Sequence, residues 1–182
     1  LSNGLDAFKG KDIVILEVGF GTGLNALLTY IYGKKNHMKI HYDAIDLYPL
    51  DDRLVQQLNF TRLLGLEDHK LLLDMHKCPW NHLYTVSEGF ALHKILQDFN
   101  QFIPGKKYQL VYFDAFAPEK QPKMWEKQNF QRLFQSMESG GILVTYCAKG
   151  EIKRRLKRVG FDIDLLKGPP GKHEMIRAVK PV

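Results

Sequence analysis

Short apolar runs recur along the chain and alternate with segments of mixed polarity. Residues 12–18 form an apolar run typical of a buried parallel strand, and residues 40–47, 90–96, 108–113 and 142–147 predict four further strands. Each of these runs is followed by turn residues or by a segment with helical spacing. The pattern therefore predicts an α/β fold rather than a helical bundle or an all-β sandwich.

Helices are predicted over residues 24–33, 48–64, 122–137 and 149–159. Gly140 and Gly141 predict a turn before the strand at 142–147, and residues 161–179 predict two antiparallel strands joined by a stiff basic loop. We therefore expect one α/β domain over residues 1–182. Its mostly parallel, doubly wound, seven-stranded sheet would end in a C-terminal antiparallel hairpin.

Residues 66–86 are harder to interpret. Asp74, His76, Cys78 and His82 are residue types that bind metals, but their spacing matches no recognised ligand pattern. We favour a packed insertion here and predict no metal.

A glycine-rich turn follows the first strand. Gly19, Gly21 and Gly23 lack side chains, so the backbone can adopt positive φ and a ligand can lie against it. The helix that begins at Leu24 offers free N–H groups and a partial positive charge. A dinucleotide fingerprint would require a third glycine at position 24, where this chain has Leu24. The turn predicts a nucleoside-containing ligand other than NAD.

The pattern Glu17-x-Gly-x-Gly-x-Gly resembles the first motif of the class I S-adenosyl-L-methionine methyltransferases. The resemblance implies a Rossmann-like fold in which Glu17 helps to anchor the methionine ammonium and the glycines make room for the cofactor. The cofactor-binding residues expected on this basis are Glu17, Gly19, Phe20, Gly21, Thr22, Gly23, Asn25, Asp46, Leu47 and Asp98.

Asp46 ends the second strand, where an acidic side chain commonly holds the hydroxyls of a nucleoside ribose. In methyltransferases an acidic residue after the third strand accepts from the adenine amino group. Asp98 fits this position. Asp74, which follows three leucines, is the alternative, and we prefer Asp98 because it lies just before the next strand.

A second motif makes the resemblance more specific than the glycine motif alone. Residues 114–125 read Asp-Ala-Phe-Ala-Pro-x-Lys-x-Pro-x-Met-Trp, and residues 171–175 read Gly-Lys-His-Glu-Met. With residues 17–25 and 48–50, they resemble the tRNA wobble-uridine methyltransferases, namely the MnmC-type methyltransferase domain and its stand-alone MnmD relatives. The resemblance implies methyl transfer from S-adenosyl-L-methionine to the primary amine of 5-aminomethyl(-2-thio)uridine in the tRNA anticodon.

Two departures from the family matter. The MnmC fusion carries an FAD-dependent oxidase domain, which has no counterpart in this chain, and the family has a segment ahead of the position of Asn3. We therefore expect a stand-alone methyltransferase domain or a piece of the fusion, with a truncated N-terminus.

Amine methylation by a sulfonium is a direct displacement that needs alignment and a neutral amine. Asp114 lies where the ends of the first and fourth predicted strands line the crevice, so it is the candidate catalytic residue that orients the amine and accepts its proton. Phe116 and Pro118 would shape the pocket for the splayed uridine, since unstacked bases are commonly held against aromatic rings. Core packing is the alternative for Phe116.

The net charge of +6 is confined to one end of the chain. Residues 1–148 balance 16 basic with 16 acidic residues, whereas residues 149–182 hold 10 basic and 4 acidic residues. A basic C-terminal end of this kind suggests a polyanionic partner, usually a nucleic acid. The alternative is an ordinary lysine-rich helix exposed to solvent. The residues expected to contact tRNA phosphates are Lys149, Arg154, Arg155, Arg158 and Lys172.

Two cysteines do not suggest a disulfide framework, and no apolar run is long enough to span a bilayer, so a cytoplasmic protein is expected. Two other functions stay open. One is an S-adenosyl-L-methionine methyltransferase acting on a small molecule or a protein, and the other is a non-catalytic cofactor- or RNA-binding module. The sequence makes no prediction of the oligomeric state.

Overall fold

The computed structural model describes residues 4–63, 65, 69–168 and 173–182. Within these ranges eight strands form one sheet. The strands are β1 (Ile13–Val18), β2 (Ile40–Asp46), β3 (Leu83–Ser87), β4 (Phe90–Leu96), β5 (Tyr108–Phe113), β6 (Met137–Thr145), β7 (Asp162–Lys167) and β8 (Glu174–Val179).

The strand order is β3-β4-β2-β1-β5-β6-β8-β7. The five central strands, β4, β2, β1, β5 and β6, are parallel, and β3, β8 and β7 pair antiparallel with their neighbours. The chain leaves β1 towards β2 and later returns to place β5 on the other side of β1. The carboxyl ends of β1 and β5 therefore flank the switch point at which ligands bind in such sheets.

Six α-helices are described: α1 (Leu24–Lys35), α2 (Asp52–Gln56), α3 (Phe60–Leu63), α4 (His69–Lys77), α5 (Lys127–Ser136) and α6 (Gly150–Val159). Helices α1 and α4 pack on one face of the sheet, where Ala26 and Met75 join its core. Helices α5 and α6 pack on the other face, where Phe130, Leu133 and Leu156 are buried. Short 3-10 helices span Leu5–Phe8, Phe99–Gln101 and Pro122–Trp125.

The doubly wound, mostly parallel sheet and its terminal hairpin are confirmed, but the strand count is wrong. The described sheet has eight strands because the segment 69–87, where only a packed insertion was predicted, contributes α4 and the edge strand β3. The helix predicted over residues 48–64 is two short helices, α2 and α3. The segment between them contains Asn59, a residue of low helix propensity.

The turn predicted at Gly140 and Gly141 lies inside β6, which already begins at Met137. The pairing of β6 with β5 is irregular here, since Tyr108 pairs with Met137 and Leu110 with Ile142. Gly140 has φ +74°, so the two glycines mark an irregularity within a strand rather than the junction before one. Among the described residues, no helix has the length and apolar character needed to cross a membrane.

Candidate active site

The glycine turn between β1 and α1 is held in the left-handed region of backbone space. Gly19, Gly21 and Gly23 have φ values of +94°, +50° and +70°. A Cβ at position 19 would lie 3.0 Å from the carbonyl oxygen of Asp114, so the absence of a side chain lets the ends of β1 and β5 approach closely. Gly23 is the N-cap of α1.

Glu17 is a buried carboxylate at the end of β1, with 1% of its surface exposed. Its Oε1 accepts a hydrogen bond of 2.9 Å from Nδ2 of Asn25, and the buried hydroxyl of Tyr42 is the other neighbouring donor to the carboxylate. Burial raises the pKa of Glu17 well above its usual value, and the hydrogen bonds from Asn25 and Tyr42 oppose that rise. A cationic group of a ligand beside this carboxylate would favour its charged form.

Asn25 also reaches Asp114. The same Nδ2 donates to Oδ2 of Asp114 at 3.1 Å, so one amide connects the carboxylates at the ends of β1 and β5. The Asp114 side chain is accessible, yet the protein around it removes enough water to raise its pKa, and the hydrogen bond from Asn25 opposes that rise. Oδ1 carries no hydrogen bond from the described residues and can accept one from a ligand.

The end of β2 is tied to the glycine turn. Oδ2 of Asp46 accepts from the backbone N–H of Gly21 at 2.9 Å, and Oδ1 accepts from the N–H of Tyr48 at 3.0 Å. Leu47 beside it is 42% exposed. The structure thus places Asp46 against the turn that the sequence analysis assigned to the same ligand.

Asp98 follows β4 and lines a cleft of about 350 Å³ together with Asp46, Leu47 and Tyr48. Its Oδ1 accepts from the backbone and side-chain nitrogens of Asn100, which fixes the carboxylate at this edge of the sheet. The alternative residue, Asp74, lies within α4 rather than after a strand. Asp98 therefore shares a cleft with Asp46, and Asp74 does not line that cleft.

The segment 114–118 is held at two carbonyl oxygens. Nε1 of the buried Trp125 donates to the carbonyl of Phe116 at 2.8 Å, and the hydroxyl of Tyr146 donates to the carbonyl of Ala115 at 2.8 Å. Phe116 itself is 71% exposed and Pro118 is half-buried, so core packing does not account for Phe116. A fixed backbone thus presents an aromatic ring to solvent beside Asp114.

A second cleft, of about 600 Å³, opens beside Asp114. The ends of β5, β6 and β7 and the start of α1 line it, with side chains that include Asn25, Tyr112, Tyr146 and Lys167. Tyr146 and Lys167 lie far from the glycine motif along the chain, and the sequence analysis did not single out either of them. Their spacing carries no motif, so only the fold brings them to the site.

The basic residues of the C-terminal end do not form a uniform surface. Arg154 and Arg158 are exposed on α6, and Lys149 is exposed and forms an ion pair with Glu119. Arg155 is half-buried, donates to the carbonyl of Trp125 at 2.7 Å and pairs with Glu151.

The assignment of Arg155 to the phosphate-binding surface therefore needs correction, because its guanidinium joins α6 to the segment that supports Phe116. Lys172, the remaining basic residue of the predicted surface, lies outside the described residues.

Two residues of the glycine motif have roles in packing. The side chain of Phe20 is buried and makes edge contacts with His76 and Trp80, so only its backbone stays a candidate for ligand contact. The carbonyl of Thr22 accepts a hydrogen bond from His76. His76 is one of the metal-binding residue types of its segment, but the described residues contain no group of three or more His, Cys, Asp or Glu arranged to hold a metal.

Comparison with known proteins identifies the family. The sequence model of a family described as S-adenosyl-L-methionine-dependent methyltransferase matches residues 69–181. The MnmC bifunctional protein of tRNA 5-methylaminomethyl-2-thiouridine biosynthesis from Pseudoalteromonas atlantica is 32% identical over 186 residues, which cover 91% of this chain and 26% of that protein. The protein of the same name from Cupriavidus necator is 30% identical and covers 95% and 28%, respectively.

Solved structures share the fold. MnmC2 from Aquifex aeolicus superposes with a TM-score of 0.74 at 20% identity, over 98% of this chain and 58% of that chain. Human methyltransferase-like protein 13, solved with S-adenosyl-L-homocysteine, superposes with a TM-score of 0.58 at 16% identity, over 97% of this chain and 75% of that chain. At these identities the likeness concerns the fold alone. The chain spans little more than a quarter of the length of the two curated relatives.

Proposed function

Because the chain belongs to the S-adenosyl-L-methionine-dependent methyltransferase family, we propose that it methylates the primary amine of 5-aminomethyl(-2-thio)uridine at the tRNA wobble position. The product is the 5-methylaminomethyl nucleoside. One observation carries the proposal: Oδ1 of Asp114, to which no described residue donates, lies beside a cleft at the end of β5, while Asn25 joins that carboxylate to the buried Glu17. The motif around Asp114 and the MnmC relatives support the choice of substrate.

The residues around the glycine turn fit the cofactor. The buried carboxylate of Glu17 suits an ammonium group, and the left-handed glycines leave room along the backbone. Asp46, Leu47 and Asp98 would hold the nucleoside end in their shared cleft. When bound, S-adenosyl-L-methionine supplies an electrophilic methyl group and a good leaving group.

Asp114 would orient the substrate amine and accept its proton. The nitrogen must be neutral to attack, and it gives up one proton as the new carbon–nitrogen bond forms. The raised pKa of Asp114 makes its carboxylate a stronger base than an ordinary exposed aspartate. Asn25 holds Oδ2, so that Oδ1 is the oxygen left to receive the amine N–H.

Phe116 and Pro118 would receive the uracil ring. An exposed aromatic ring on a fixed backbone can stack on a base that has left the anticodon stack. Arg154, Arg158 and Lys149 would contact the phosphates, which position the RNA without reading its sequence. Because the proposed substrate is a tRNA, we place the protein in the cytoplasm.

Methyl transfer from labelled S-adenosyl-L-methionine tests the proposal. The acceptor is tRNA from cells that leave 5-aminomethyluridine unmethylated, with fully modified tRNA as the control. Label should appear only in the first tRNA, at the wobble nucleoside, and an Asp114→Asn variant should transfer far less of it. Label that enters small molecules or protein from the same cells, and never tRNA, would overturn the choice of substrate.

A further inference from the structure

Helix α4 lies directly against the glycine turn. A Cβ at Gly23 would lie 3.1 Å from Nε2 of His76 and 3.4 Å from Cδ1 of Leu72, two residues one turn apart on α4. Nε2 of His76 is 3.0 Å from the carbonyl oxygen of Thr22. A carbonyl oxygen only accepts, so Nε2 carries the proton and donates it. Burial lowers the pKa of His76, which favours this neutral form.

The side chain of Phe20, in the same turn, packs against α4 and the residues that follow it. The ring of Phe20 packs edge-on against His76 at 5.1 Å between centroids and against Trp80 at 6.1 Å. The residues on both sides of Gly21 are therefore in contact with the segment 72–80. Fixing three glycines in the left-handed region costs conformational entropy. The contacts of Phe20 and Thr22 with the segment 72–80 therefore help to fix the conformation of the turn before a ligand binds.

A fully buried lysine holds α4 in this position. Lys94 of β4 is 0% exposed, and its Nζ donates to the carbonyl of His76, one of the last carbonyls of α4 without an intrahelical partner. The ammonium lies 4.7 Å from the centroid of Trp80 and 5.4 Å from that of Phe20. Among the described residues, no carboxylate lies within ion-pair distance of it.

We infer that His76 and Lys94 are positioning residues for the cofactor: Lys94 fixes the end of α4, and His76 and Phe20 transmit that position to the glycine turn. The contacts run from Lys94 to the carbonyl of His76, and from the His76 ring to the carbonyl of Thr22. None of these side chains lines the two clefts at the site. Their effect is on the affinity of the turn for S-adenosyl-L-methionine rather than on the methyl transfer itself.

The test compares paired variants by calorimetric titration with S-adenosyl-L-homocysteine. His76→Leu removes the donor to Thr22, and His76→Gln keeps a side-chain N–H at that position. Loss of the hydrogen bond should weaken binding about tenfold, while the glutamine variant should restore most of the affinity. Lys94→Met, which keeps the length of the side chain and removes its charge, should weaken binding to a similar extent.

Lys77→Met is the matched control, because Lys77 is an exposed lysine on the same helix. All titrations are made below the melting temperature of each variant. If His76→Leu and Lys94→Met are folded and bind the ligand as tightly as Lys77→Met, the inference is wrong and the network only stabilises the fold. If Lys94→Met does not fold, the His76 pair decides: equal affinities of its two members would overturn the inference. The experiment needs no tRNA, so its result is independent of the proposed substrate.

Discussion

The side-chain amide of Asn25 donates to the carboxylate of Asp114 at 3.1 Å, and the same nitrogen donates to Glu17 at 2.9 Å. The two carboxylates belong to different strands and to the two halves of the proposed site. One amide therefore influences the protonation of both the cofactor end and the substrate end.

Replacing Asn25 should change the pH dependence of methyl transfer. The hydrogen bond from Asn25 lowers the pKa of Asp114 against the effect of burial, so Asn25→Ala should raise that pKa further. Because the base must be ionised, the acidic limb of the rate profile should move to higher pH. Rates measured between pH 5 and 9 test this, with Asn36→Ala at the other end of α1 as the control. Superimposable profiles for the two variants would contradict the role of Asn25.

Replacing the carboxylate of Asp114 by an amide should lower turnover by about 100-fold or more, the usual contribution of a positioned base. Asp114→Asn keeps the size of the side chain. Its affinity for S-adenosyl-L-homocysteine should stay close to that of the wild type. Single-turnover rates with bound tRNA measure the effect on the chemical step. A variant that reacts at the wild-type rate would remove Asp114 from catalysis.

Glu17→Gln should change the pH dependence of stability and weaken cofactor binding. The folded-state pKa of Glu17 is raised, so between its ordinary and its raised pKa the folded protein binds more protons than the unfolded chain. Stability then falls as the pH rises through this window. The variant lacks this titration, so its melting temperature should rise relative to that of the wild type as the pH increases from 4.5 to 8, and it should bind S-adenosyl-L-methionine more weakly. Melting curves at pH 4.5 and pH 8 provide the measurement. A melting temperature that falls relative to that of the wild type between pH 4.5 and pH 8 would refute the sign of the effect.

Arg154 and Arg158 should contribute to tRNA affinity through charge alone. Reversing both to Glu should weaken binding and reduce the slope of log affinity against log salt by about 1.5, because two phosphates would no longer be neutralised. Lys34→Glu with Lys35→Glu, an exposed pair at the end of α1, is the control of equal charge change. Equal reductions in affinity for the two double variants would indicate a general effect of net charge. Arg155→Glu should instead destabilise the fold, because it breaks the contact with the Trp125 carbonyl.

Asp43 should stabilise the fold at neutral pH. It lies buried in β2, within hydrogen-bond distance of His41, Tyr108 and Lys106. Burial alone would raise its pKa, but these partners lower it to about 2. The shift corresponds to about 2 kcal/mol that is fully present above the unfolded pKa and is lost as the pH falls through about 2. Asp43→Asn should lose this stability in urea unfolding at pH 7. A difference that persists unchanged in strong acid would contradict the assignment.

The central strands and the glycine turn were predictable because parallel strands buried on both faces leave continuous apolar runs. Strand β3 was not predictable, because it lies at the edge of the sheet and most of its side chains are exposed, which leaves no apolar run in the sequence. The neighbouring β4 buries a lysine where an apolar residue is the rule. That lysine is satisfied by aromatic rings and a helix carbonyl, partners that only the tertiary structure brings together.

The site residues that lie at the carboxyl ends of strands were predictable from the sequence. Glu17, Asp46 and Asp114 each end or follow a strand, so the topology places them together. The role of Arg155 could have been inferred from the spacing. It stands three residues after the buried Ile152 and beside the buried Leu156, on the inner side of α6. The hydrogen bonds that hold residues 115 and 116 have no sequence pattern, because their donors, Trp125 and Tyr146, lie 9 and 31 residues away.

The connection between β4 and β5 contains a 3-10 turn in place of an α-helix, and it brings Lys106 to the buried Asp43 of β2. The polar side chains His41, His93 and Lys106, each about one-third exposed, surround its carboxylate there. These ion pairs keep polar groups on this face of the sheet. An apolar substitution at the buried position 43 would leave those three groups without their common partner, so two strands and the loop before β5 would lose the charge that holds them together at this face.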